Sequence, residues 1–167
     1  GHDGRVRTRP GIPLTPAILF AHRGGRVHGS GDMLDAFSLA ITLGATGLKG
    51  DVWLTADHVP VLDDDGRPGH LLRRRPIGQT VRADLPGGVP SLSDLYGIVG
   101  AGTPVALDVR DASAVPAVLD TARRFPGAED GLWLCHPDWE TAASWRDLSR
   151  GVRLVDSTRL ARIPAGP

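Results

Sequence analysis

The chain has 167 residues, 41% hydrophobic and 23% charged, with formal net charge zero. That composition suits one soluble globular domain with a real core, excludes a disordered chain, and gives no global attraction to nucleic acid or anionic membrane. The single cysteine, Cys135, excludes an internal disulfide and a cysteine-rich zinc site.

Nothing in the sequence approaches the roughly 20 apolar residues of a transmembrane helix. The opening Gly1-His-Asp-Gly-Arg5 lacks the apolar core of a signal peptide, so a cytoplasmic chain is expected. Residues 1–16 are polar and proline-rich and read as an N-terminal arm. Ala17-Ile-Leu-Phe-Ala21 is a short apolar run ending at His22-Arg-Gly-Gly25, the pattern of a buried strand entering a loop. Leu34, Phe37, Ala40, Ile41 and Ala45 recur at helical spacing, predicting a helix over 32–44. Residues 48–54 form a second strand, and Val59-Pro-Val-Leu62 is a brief extended segment.

Asp63-Asp64-Asp65-Gly66 has the acids of a calcium loop but neither its flanking helices nor its distant glutamate, so a solvated turn is expected. Residues 66–88 carry Arg73-Arg-Arg75 with little periodicity and predict a long surface excursion. No aromatic residues interleave with those arginines, as a nucleic-acid surface would require. Ser91 with Asp94 three residues on is a capping-box signal for a helix to about Val99. Residues 105–109 make a third main strand, a helix follows from Asp111 or Ser113 to Phe125, and Pro116 fits only in its first turn. Residues 132–135 make a fourth strand, a helix starts at Pro137, and 152–155 make a fifth strand. Trp53, Trp133, Trp139 and Trp145 are expected to pack in the core or against helices.

Strands alternating with helices imply a parallel sheet with helical crossovers, either open and doubly wound or curled into a (β/α) barrel. A barrel takes eight strands and typically ~250 residues, against about five strands here. In both architectures chemistry gathers at the carboxyl ends of the strands. His22 and Arg23 follow strand one, Lys49 and Asp51 share a face of strand two, Asp108 and Arg110 end strand three, His136 follows strand four and Asp156 strand five. Guanidinium for the anion, imidazole for the proton and carboxylates for a hard cation together suit a phosphate ester.

Phe20-Ala-His-Arg-Gly-Gly25, Leu34-Asp-Ala-Phe37, Gly44-Ala-Thr-Gly47, Asp51-Val-Trp-Leu-Thr-Ala-Asp57, Val59-Pro-Val61, Val89-Pro-Ser-Leu92 and Leu107-Asp-Val-Arg110 stand in an order that resembles the glycerophosphodiester phosphodiesterase family, over roughly Ile18 to Arg162. The resemblance implies a (β/α) TIM-type barrel, of which residues 17–167 hold about five of eight strand–helix units, the family's further strands after Val155, about three, being missing here. It implies hydrolysis of glycerophosphodiesters to an alcohol and glycerol phosphate, with Mg2+ or Ca2+ as cofactor and a small-molecule phosphodiester as partner. The open edges of a five-strand sheet would be a route to self-association.

By that resemblance His22 is the first catalytic histidine, Arg23 and Arg110 contact phosphate, and Asp51 and Asp108 bind the metal. Asp64 occupies the place of the second catalytic histidine. Lys49 stands where a metal-binding glutamate belongs, and Gly31-Asp-Met33 replaces Glu-Asn-Thr. A carboxylate is a poorer proton donor than an imidazole at neutral pH, and an ammonium repels a divalent cation. The resemblance therefore implies a weakened or inactive hydrolase, or a phosphate-ester binder that does no chemistry, or an inactive fragment.

Overall fold

The computed structural model describes residues 17–22, 32–69 and 75–158. The expected arm over 1–16, Arg23, Gly31, Arg73 and Arg74 lie outside the described residues. Ten elements follow in chain order: β1 (Phe20–His22), α1 (Met33–Thr42), β2 (Gly47–Leu54), β3 (Pro60–Leu62), α2 (Leu92–Val99), β4 (Val105–Val109), α3 (Val115–Arg123), β5 (Leu132–His136), α4 (Trp139–Ser144) and β6 (Arg153–Asp156), with short 3-10 turns between some of them.

The sheet order β1-β2-β4-β5-β6 separates the two architectures left open above. A doubly wound sheet reverses its strand order and carries helices on both faces. Here the parallel strands follow chain order without reversal. One side of the sheet, formed by Leu48, Val52, Leu54, Val105, Leu107, Val109, Leu132 and Leu134, shares a single buried core with Phe37 of α1, Leu95 of α2, Leu119 of α3 and Ala142 of α4. That is a partial (β/α) barrel. β3 folds back antiparallel on the carboxyl half of β2, while β1 pairs with its amino half.

Local chemistry sets the element ends. The Asp32 carboxylate accepts the Leu34 N–H at 2.9 Å to start α1, and Gly44 at φ 101° turns the chain out of it. Ser91 and Asp94 form the full capping box of α2. Asp111 caps a 3-10 turn that runs into α3, whose first turn holds Pro116. α4 begins two residues later than Pro137, because Asp138 is its cap.

Three expectations need correction. β1 is shorter and later than 17–21, with Ile18 and Leu19 exposed, because the strand sits at the sheet edge among the described residues and buries less. The excursion over 66–88 is not all surface: its Ile77 and Leu85 form a small buried cluster with Val61 and Val89, too sparsely spaced along the chain to show a period. Trp139 is 61% exposed, whereas Trp145 is buried. Of the two turn glycines that matter most here, Gly66 is forced: its φ is 73°, and a Cβ would lie 2.6 Å from the Trp53 ring.

Tyr96 of α2 is buried against Phe125, and its hydroxyl has no hydrogen-bond partner among the described residues. Burial pushes its phenol above the ordinary value of 10.0. The unfolded chain releases that proton first, so stability falls as pH rises past 10. Tyr96→Phe is expected to gain about 1 kcal/mol in urea unfolding at neutral pH and to flatten the alkaline decline. A loss of stability at neutral pH would contradict the reading of an unsatisfied hydroxyl.

Candidate functional site

In a sheet, residues paired in register project to the same side. His22 is paired with Lys49, Asp51 with Asp108, and Asp108 with Cys135. By alternation these side chains point away from the helix-packed core, toward what is the interior side of a barrel. His22, Lys49, Asp51 and Asp108 are therefore brought to one face, as the i, i+2 spacing predicts.

Two ion pairs cross between β2 and the end of β4. Lys49 Nζ donates to Asp108 Oδ1 at 2.9 Å, and Arg110 Nε donates to Asp51 Oδ1 at 2.7 Å. Each strand supplies one cation and one carboxylate, and each cation takes the other strand's acid. The pairs are layered: the Asp51 side chain is 0% exposed and that of Arg110 45%, while Asp108 is 19% and Lys49 28%. The acids lie behind and the cations in front. The Arg110 N–H donates to the Val52 carbonyl oxygen at 3.1 Å, which fixes the backbone that carries the guanidinium.

A cleft of about 390 Å³ opens beside the pairs, lined by Lys49, Asp108, Val109, Arg110, Cys135, Pro137 and Ser157. Burial pushes the Cys135 thiol up, an effect the Lys49 ammonium only partly offsets. Cys135 and Ser157 line this cleft and are not among the candidates the sequence suggests. The alternation of strand four could have found Cys135, since outward Leu132 and Leu134 place Trp133 and Cys135 inward.

The same alternation removes two rim candidates. His136 and Asp156 are register partners on the helix side of the sheet. The His136 ring packs edge-on against buried Trp145 at 5.5 Å, and its Nδ1 accepts the Asp138 N–H at 3.1 Å. The Asp156 carboxylate accepts the N–H and hydroxyl of Thr158 in its own turn, which holds it below the usual carboxylate range. Neither faces the crossed pairs.

Asp64 lies half-buried in the bend after β3. That bend is tied to the site by the Asp63 N–H, which donates to the Asp51 carbonyl oxygen at 3.2 Å. Asp63 Oδ2 accepts the N–H groups of Asp65 and Gly66, and Asp65 Oδ1 accepts that of Arg67, so the acidic run forms a self-bonded turn. Burial nonetheless pushes the Asp63 carboxyl up.

Among the described residues the donor set does not fit a divalent cation. Mg2+ demands near-octahedral oxygen and Ca2+ six to eight oxygen ligands. Asp51 and Asp108 each already hold a side-chain cation, and no three His, Cys, Asp or Glu side chains converge among the described residues.

No protein-family model matches the chain, and no curated protein matches its sequence. Solved structures do share its fold. It is similar to a glycerophosphodiester phosphodiesterase from Thermotoga maritima, with TM-score 0.66 and 22% identity over 76% of this chain and 57% of that one. The glycerophosphoryl diester phosphodiesterase domain of an uncharacterized Mycobacterium tuberculosis protein gives TM-score 0.62 and 22% identity, over 85% of this chain and 60% of that one. An Oleispira antarctica phosphodiesterase, solved with its product sn-glycerol-3-phosphate, gives 0.65 and 18%, over 81% and 64%. The chain spans about three fifths of the length of these structures. Among the described residues no helix is long and apolar enough to cross a membrane.

Removing Arg110 takes a charge-assisted bond from a fully buried carboxylate. Arg110→Ala is expected to lower stability by about 2 kcal/mol in urea unfolding, and Arg110→Lys by less. Equal stability of wild type and Arg110→Ala would show that Asp51 does not depend on the pair.

Proposed function

We propose that residues 17–167 are a glycerophosphodiester phosphodiesterase-family domain whose diester hydrolysis is weakened, and whose rim still binds phosphate esters. The fold it shares with those enzymes and its ordered motifs support the family reading. The crossed pairs Lys49–Asp108 and Arg110–Asp51 carry the weakening, because they engage both carboxylates that the family resemblance assigns to metal.

The chemistry follows from what each residue offers. Hydrolysis of a phosphodiester needs charge on the phosphoryl oxygens stabilised and a proton delivered to the departing alkoxide. Arg110 and Lys49 offer the first, with Arg23 as a further guanidinium beside His22 in sequence. His22 is the one imidazole that β1 brings to this face. Asp64 stands where the second imidazole belongs, and loss of acid–base catalysis at one position typically costs about 10²–10⁴ in rate. The family's divalent ion would supply Lewis-acid activation of the phosphoryl group, which an ammonium does not replace. A second reading, binding without turnover, is favoured by the exposure of the two cations in front of their acids.

The test is hydrolysis of glycerophosphocholine by the folded chain, with circular dichroism as the check on folding. Wild type is expected to stay near background with magnesium or calcium. Asp64→His combined with Lys49→Glu is expected to raise the rate above either single change, since proton delivery and metal activation act on one transition state. Wild-type turnover at an ordinary enzyme rate, on the order of 1–10³ s⁻¹, would overturn the proposal.

A further inference from the structure

The misfit of the rim to a divalent ion has a positive counterpart. Lys49 is the only lysine in the chain. It lies on β2, paired in register with His22 on one side and Ala106 on the other, so its side chain starts from the face that carries Asp51 and Asp108. Its Nζ meets Asp108 at 2.9 Å. The neighbouring acid, Asp51, is met by Arg110 at 2.7 Å. A divalent ion entering here would have to displace an ammonium and a guanidinium from two carboxylates, one of them fully buried.

We infer that Lys49 is the resident cation of this rim, and that the cleft takes the oxygens of a phosphate ester directly on Lys49 and Arg110, with no divalent ion between. The inference rests on the phosphate-ester reading of the rim given above. An ammonium carries three donors and a guanidinium five, and the bonds to Asp108 and Asp51 use one of each. The carboxylates behind fix the direction of both cations. An anion approaching from the cleft meets cations first, because they are the more exposed partner of each pair. The cleft, about 390 Å³, is large enough for a small ester.

The sole lysine makes a direct experiment available: the chain is labelled with ¹⁵N and ¹³C at lysine, and the single Lys49 side-chain signal is followed by NMR. Inorganic phosphate is titrated in EDTA and again with magnesium, and magnesium and calcium chloride are titrated alone to millimolar levels. The Lys49 signal is expected to shift saturably with phosphate in EDTA and to stay in place with either metal. Lys49→Met is expected to weaken phosphate binding by about tenfold or more, measured by calorimetry. A phosphate response that appears only with magnesium, or tight binding of magnesium or calcium alone, overturns the resident-cation inference and leaves the phosphate-ester reading standing. No phosphate response under either condition overturns that reading and the inference with it. The wild-type titrations decide the matter even where Lys49→Met does not fold.

Discussion

The crossed ion pairs between β2 and the end of β4 are the constraint around which the site is organised. They join the two central strands on the face away from the helices, where the parallel register sets Asp51 beside Asp108. Two facing carboxylates with no cation between them would repel and would carry the desolvation cost of burial, which for the fully buried Asp51 is severe. A divalent ion is one solution to that problem. This chain uses another, drawn from its own side chains, and the choice determines what the rim can do.

The rest of the fold serves that arrangement. Helices packed on one side of the sheet leave the other side for polar chemistry, and the parallel run of β1, β2, β4, β5 and β6 keeps their carboxyl ends on the same rim. β3 and the acidic bend after it return the chain to β2, so Asp64 is carried back next to the backbone of Asp51. The bend is stiffened by its own Asx bonds and by the Trp53 indole N–H, which donates to the Asp63 carbonyl oxygen. Gly66 allows the tight turn that brings the backbone onto the Trp53 ring.

Much of this is legible in the sequence, for reasons specific to particular residues. Ser91 and Asp94 announce a capping box that forms as read, and the spacing of Lys49 and Asp51 puts them on one face. The crossing of the pairs is not legible, because it depends on the register between strands 59 residues apart in sequence. His136 looks like a rim histidine by position, yet strand alternation turns it to the helix side. Ile77, Leu85 and Val89 escape any periodic reading, because their burial comes from packing against Val61 and not from a regular element. Trp139 shows the reverse failure, a large apolar residue left in solvent at the start of a short helix.

The account turns on whether the chain's own cations hold Asp51 and Asp108 against a divalent ion. Electron paramagnetic resonance of Mn²⁺ mixed with the folded chain reads this without reference to turnover. The account predicts that the six-line signal of hydrated Mn²⁺ keeps its full intensity at equimolar wild-type protein. Loss of that signal in wild type, restored by Asp51→Asn, would contradict it.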